Sequence, residues 1–142
     1  MYYTKNEMLE KLRAAGRRIT GPRLAIIKFI AGRGDHPSAR QIYNQVQRKS
    51  PGISLATVYN TLIILRDLDL VKEIEFEHTE NRYDTNLQPH LNLVCKRCGA
   101  IRDVEFTLPL ILEDVRRREG FITSDFRIEL HGLCASCSHK SG

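Results

Sequence analysis

Four cysteines stand in two matched pairs, Cys95-Lys-Arg-Cys98-Gly99 and Cys134-Ala-Ser-Cys137. A two-residue spacer lets both sulfurs of a pair turn toward one ion, and two such pairs supply the thiolates of a tetrahedral structural Zn²⁺ site. Gly99 is the residue type that takes the positive φ closing such a turn. Disulfides, or one thioredoxin-like redox pair, would use the same residues. A redox CxxC opens a helix that lowers its thiol pKa. Here both pairs follow strand-like segments and Cys98 leads into a further one, so the spacing favours zinc. Free thiolates of that kind go with a reducing cytoplasm.

Five histidines are present, His36, His78, His90, His131 and His139, and two have neighbours of interest. His36 precedes Pro37 in an expected interhelical loop. His90 opens an expected strand, with Asn92 two residues on and therefore on the same face. Asp84 and Asp103 are expected at strand ends nearby. Two imidazoles, two carboxylates and an amide oxygen form an N/O set suited to Fe²⁺ or Mn²⁺. No short motif links the five positions, and on spacing alone each also reads as an ordinary surface polar residue. His131 has a weaker case, and His139 reads as tail.

The elements that would hold these residues change character midway. Thr4 with Glu7 is a capping-box pattern ahead of Met8, Leu9 and Leu12. Thr20-Gly-Pro22 opens a second helix carrying Leu24, Ile27 and Ile30, and Ser38 with Gln41 opens a third that buries Ile42 and Val46. Ser54 caps a fourth, with Leu55, Val58, Leu62 and Leu65 as its apolar stripe. Strands are expected over 71–76 and 82–84, joined by a polar tip at His78–Asn81. Helices followed by such a wing form a winged helix-turn-helix pattern, with 54–68 as the helix for the major groove.

Beyond it, Leu91 and Leu93 alternate with His90, Asn92 and Val94, 101–106 reads as a strand, and Pro109–Glu119 reads as a helix with Leu108, Leu112 and Val115 as its stripe. Phe126, Ile128 and Leu130 alternate before the second cysteine pair. The fold class is therefore α+β: a winged helix-turn-helix over 1–84, then a small α/β domain over 85–142 stapled by zinc. So small a domain has a thin core, which zinc and a partner subunit would both support.

The chain holds 22 basic and 17 acidic residues in 142, a net +5, with 42% hydrophobic content that argues against wholesale disorder. Residues 1–49 carry 11 Lys/Arg against 3 Asp/Glu, so a net +8 falls in the first part and points to a polyanionic partner there. On the polar side of the fourth helix, Thr57, Tyr59 and Asn60 can meet base edges and phosphates, while Arg17, Arg18 and Arg23 can grip phosphates. A merely solvated polar face is the competing reading. The N-terminal segment has no apolar core of a signal peptide, and no run reaches the roughly 20 residues that span a bilayer.

Taken together, Arg18-Ile-Thr-Gly-Pro-Arg23, His36-Pro-Ser-Ala39, Ser54-Leu-Ala-Thr-Val-Tyr-Asn60, Arg82-Tyr-Asp84, both cysteine pairs and Gly132 resemble the ferric uptake regulator superfamily over residues 5–138. The resemblance implies a dimeric, metal-dependent transcription regulator with a winged helix and an α/β dimerisation domain. Its peroxide-stress-sensing branch is the nearest in pattern, because Asp rather than Glu stands at 103. That branch's regulatory site maps onto His36, Asp84, His90, Asn92 and Asp103, with Asn92 where the branch often has His. The iron-sensing branch's additional ligands fall on Pro89, Leu91 and Phe126, which cannot coordinate. No cysteine is left over for a zinc-sensing site.

The resemblance implies one structural Zn²⁺ and one regulatory Fe²⁺ or Mn²⁺ per chain, a homodimer on double-stranded operator DNA in the cytoplasm, no membrane partner, and no small-molecule substrate beyond peroxide. Peroxide would react at the bound iron, oxidise His36 or His90, release the metal and end repression. It is not an enzyme on this reading. The alternatives are an iron- or manganese-responsive uptake regulator, a zinc-ribbon thiol oxidoreductase, and an RNA-binding zinc protein.

Overall fold

In the first part of the chain the side-chain oxygens of Thr4, Thr20, Ser38 and Ser54 each accept the backbone N–H three residues on. They open α1 (Lys5–Ala14), α2 (Gly21–Ile30), α3 (Ala39–Val46) and α4 (Leu55–Asp67). Each cap satisfies a donor that the helix itself cannot, worth about 1 kcal/mol. Thr4–Glu7 and Ser38–Gln41 close complete capping boxes, as their spacing predicts. The computed structural model describes residues 2–76, 79–88, 90–105 and 109–139. His78 of the expected wing tip, Pro89, Phe106 and Leu108 lie outside the described residues.

Two units emerge, Met1–Gln88 and Pro89–Gly142. In the first, Met8, Leu12, Ile26, Ile27, Ile30, Ile42, Leu62, Leu65 and Leu70 are fully buried and form one core. The buried face of α4 is Val58, Thr61, Leu62 and Leu65 rather than the expected stripe from Leu55, which is half-exposed in the first turn. The helix ends in a left-handed Asp69 (φ +55°), and the Leu70 N–H reaches back to the Leu65 carbonyl at 2.8 Å, a Schellman-type closure. Strand β1 (Lys72–Ile74) pairs antiparallel with β2 (Arg82–Asp84), Lys72 opposite Asp84 and Ile74 opposite Arg82. β1 is shorter than the expected 71–76 because its partner offers only three residues.

The second unit is a three-stranded sheet in the order β4 (Ile101–Glu105), β3 (His90–Cys95), β5 (Ile128–Gly132). β3 runs antiparallel to β4 and parallel to β5, and α5 (Pro109–Glu119) lies between β4 and β5 in sequence. Alternation predicts that Leu91 and Leu93 are the buried face of β3, yet Asn92 and Cys95 are its buried residues. A sheet with so little apolar cover leaves its leucines half-exposed, and the polar face closes instead. Asp103 also differs from expectation: it sits mid-strand in β4, directly opposite Asn92, not at a strand end. A short helix, α6 (Ala135–His139), adds to the expected elements. Among the described residues no helix is long and apolar enough to cross a membrane.

Candidate metal centres and nucleic-acid face

β3 ends on Cys95, and the chain reverses through Cys98 and Gly99 before β4. Gly99 (φ +73°) donates its N–H to the Cys95 carbonyl at 3.0 Å, a turn that a side chain would strain. The Lys96 N–H bonds the Gly132 carbonyl at 2.8 Å, which brings the first pair beside the end of β5. Cys134 follows, and one turn into α6 lies Cys137. The four sulfurs lie within 4.8 Å of one another. Cys98 and Cys134 are 3.8 Å apart, well beyond the roughly 2.05 Å of a disulfide, and all four thiols are free.

The electrostatics of this cluster call for a cation. The Cys98 and Cys134 backbone N–H groups, the latter 3.4 Å from the Cys95 sulfur, pull the Cys95 thiol down to about 6. Hydrogen bonding to Cys134, then burial and the other thiols, pushes Cys137 up to about 12. Four thiols this close cannot all ionise unless a divalent cation offsets the charge, and Zn²⁺ deprotonates coordinating thiols outright. The second pair does open a helix, as a redox pair would, but it converges on the first pair. The donor set fits a four-thiolate zinc site.

The first unit also carries His36 and Asp84. The loop before α3 is fixed to β2 by three contacts. Tyr83 N–H donates to the Pro37 carbonyl at 3.0 Å, the Arg82 guanidinium donates to the His36 carbonyl, and Thr85 Oγ1 donates to the Arg33 carbonyl at 2.6 Å. This brings His36 Nε2 to 3.4 Å from Asp84 Oδ2, with both side chains buried. Asp84 Oδ1 is held by the Asn86 N–H at 2.8 Å. His36 adopts φ +49°, a left-handed conformation that costs a β-carbon-bearing residue of order 1–3 kcal/mol and gathers at functional sites.

The second unit carries the other three residues. His90 Nε2 is 3.7 Å from Asp103 Oδ1, and Asn92 faces Asp103 across the β3–β4 ladder. Asn92 is 5% exposed, and its Oδ1 has no hydrogen-bond donor among the described residues. A buried carbonyl without a donor costs about 1–3 kcal/mol, which a cation would recover. Its chemistry, with imidazole and carboxylate beside it, fits a hard or borderline metal ion.

Of the predicted DNA-contacting residues, Tyr59 and Asn60 are exposed on α4, and Arg17 and Arg18 are exposed ahead of α2. Arg23 is half-buried, with its guanidinium donating to the Arg18 carbonyl. Thr57 is partly committed to the cap, 2.9 Å from Ser54 Oγ. Sequence reasoning missed a fourth cluster. Glu73 of β1 accepts from Arg66 of α4 at 2.8 Å and from Asn81 and Tyr83 at 3.1 Å each. The cross-strand pairing of Glu73 with Tyr83 is the signal that could have found it.

Burial alone would raise the Glu73 carboxyl, but the three donors hold it below the usual range. A depressed carboxyl contributes stability above its unfolded value, about 4.3, and loses it as pH falls through the folded value. Glu73→Gln is therefore expected to cost about 1–2 kcal/mol at neutral pH in urea unfolding. The deficit should shrink in acid; one that stays constant into strong acid would contradict this assignment.

Helices and a strand pair in one unit, with a four-cysteine cluster and His/Asp pairs in addition, define a two-unit α+β metal-binding protein. A profile described as the Ferric uptake regulator family matches residues 14–131. The chain is 35% identical over 137 residues to the peroxide-responsive repressor PerR of Staphylococcus aureus, covering 94% of this chain and 91% of that protein. The chain belongs to the ferric uptake regulator family. A crystal structure of the Campylobacter jejuni peroxide stress regulator is similar at a TM-score of 0.72 and 30% identity, covering 93% of this chain and 98% of that one. The Helicobacter pylori ferric uptake regulator Fur shares the fold, at a TM-score of 0.84 and 21% identity over 99% of this chain and 98% of that one. The expected mixed helix-and-sheet architecture is the one these proteins share.

Proposed function

We propose that the chain is a homodimeric, metal-dependent transcriptional repressor of peroxide-stress genes, built from a winged-helix DNA-binding domain (1–84) and a dimerisation and zinc domain (85–142). The observation that carries this reading is that each unit holds an incomplete donor set, His36 with Asp84 and His90 with Asn92 and Asp103. Two or three donors fall short of the four to six that Fe²⁺ or Mn²⁺ takes, so one ion held jointly by all five residues satisfies both sets. Zn²⁺ on Cys95, Cys98, Cys134 and Cys137 is structural.

An ion held by these residues would favour one conformation of the protein over another and so set the spacing of two recognition helices on operator DNA. The exposed Tyr59 and Asn60 read bases with Thr57 at the helix start, and Arg17, Arg18 and Arg23 hold phosphates. Leu110 and Ile122, 84% and 80% exposed, with Leu130 of β5, support a partner subunit on the second domain.

Fe²⁺ held by His36, Asp84, His90, Asn92 and Asp103 would supply one-electron chemistry that cleaves hydrogen peroxide, lending an electron that returns as the ring is oxidised. Overall one peroxide oxygen is added at an imidazole C–H of His36 or His90, the second leaves as water, and the oxidised ring is a poorer ligand. Each such event spends one protein, which makes the chain a sensor rather than an enzyme. It acts in the cytoplasm, beside the DNA.

Fluorescence anisotropy of a palindromic AT-rich duplex, with protein loaded anaerobically with Fe²⁺ or Mn²⁺, tests the reading. Both metals are expected to promote binding, and a modest dose of H₂O₂ should release only the iron form. Retention of both forms after peroxide would make the chain a metal-level regulator. No promotion by either metal would remove the regulatory-site assignment.

A further inference from the structure

An open groove lies in the first unit between α2 and α3, about 580 Å³ in volume. One wall is a single face of α2, with Gly21, Leu24, Ala25, Lys28 and Phe29 at helical spacing, and the other is Gln45, Val46, Lys49 and Ser50. Its floor is apolar. Its lining contains no acidic residue but three cations, Lys28, Lys49 and Arg33. Arg33 is already committed, stacked 4.2 Å over the Phe29 ring and paired with Asp35. Lys28 and Lys49 are in no ion pair among the described residues.

We propose that this groove binds a small amphiphilic anion, an aryl or medium-length alkyl body ending in a carboxylate. The volume lies within the roughly 300–1,000 Å³ of small-ligand sites, and the lining divides evenly between Gly21, Leu24, Ala25, Phe29 and Val46 and five polar or charged residues, which suits a ligand with an apolar body and an anionic end. The apolar body covers Leu24, Ala25 and Phe29. The carboxylate meets the two lysines, whose charge nothing else in the groove offsets. The site is separate from the metal-ligating residues and from the exposed face of α4.

The test is a titration of the zinc-loaded, full-length, ¹⁵N-labelled protein with 4-phenylbutyrate, followed by NMR, with 4-phenyl-1-butanol as the uncharged counterpart. Saturable shifts are expected at Leu24, Ala25, Phe29 and Val46. Binding should weaken about tenfold for the alcohol and for the Lys28→Gln/Lys49→Gln double variant, the loss of two exposed ion pairs. A β-carbon at Gly21 would meet nothing within 4 Å, and Gly21 lines the groove, so Gly21→Leu is expected to narrow that end and weaken the shifts. Shifts elsewhere, equal affinity for acid and alcohol, or an unchanged response in both variants would overturn the proposal. So would displacement of the probe by duplex DNA, which would assign the two lysines to phosphate contacts instead.

Discussion

Cys95→Ser or Cys137→Ser is expected to unfold the second unit while the first stays folded. The reason is the size of the second unit's core. Among its described residues the buried apolar side chains are Cys95, Ile101 and Cys137, so two of the three are themselves metal ligands. Its other described aliphatic and aromatic residues, Leu91, Leu93, Val104, Leu112, Val115 and Ile128 among them, are half-buried or exposed. Binding energy of structural Zn²⁺, of order 10–16 kcal/mol in small zinc domains, is folding energy there. The expected result is one zinc per wild-type chain by elemental analysis. Each serine variant should lose that zinc, and its amide signals for residues 90–139 should collapse to random-coil positions. Signals of the helical unit should persist, because its core is complete without the metal. A dispersed spectrum of the second unit after zinc removal would show that packing alone suffices.

The second large effect is expected at His36. Substitution by alanine would mix two losses, since the left-handed backbone there disfavours an ordinary side chain. Asparagine tolerates that conformation, so His36→Asn isolates the ligand. Metal-promoted DNA affinity should fall to the metal-free level, a loss of about 10–100-fold, the usual span of coupling between two sites. Asp103→Ala should do the same from the other unit while zinc content stays at one per chain. The reverse change is also informative: Asn92→His replaces an amide oxygen by imidazole and should tighten Fe²⁺ binding. If His36→Asn retained full Mn²⁺-promoted binding, the regulatory ion would not involve the first unit.

Much of this was legible in the sequence because it depends on short-range chemistry. The caps at Thr4, Thr20, Ser38 and Ser54 and the two cysteine pairs need only neighbours a turn or a few residues away. Where tertiary packing decides, the pattern misled. Leu55 and Leu91 obey their periods, but Leu55 falls in the first turn of α4 and both are half-exposed, while Thr61 and Asn92 are buried. The position of Asp103 follows from the β3–β4 register, which no periodicity fixes. The Glu73 cluster joins a helix to two strands, and such long-range partners leave no local trace. The contact between His36 and Asp84 is similarly remote, made by a loop fixed to a strand. The family resemblance anticipates that contact; spacing does not.

Peroxide sensing, as proposed, is oxidation of a metal-ligand histidine. Its most direct test is peptide mass spectrometry after H₂O₂ treatment of the protein loaded with Fe²⁺ or with Mn²⁺. A mass increase of one oxygen is expected on the peptide containing His36 or His90 in the iron form, none there in the manganese form, and unmodified His131 in both. An iron form that releases DNA with His36 and His90 unmodified would contradict it.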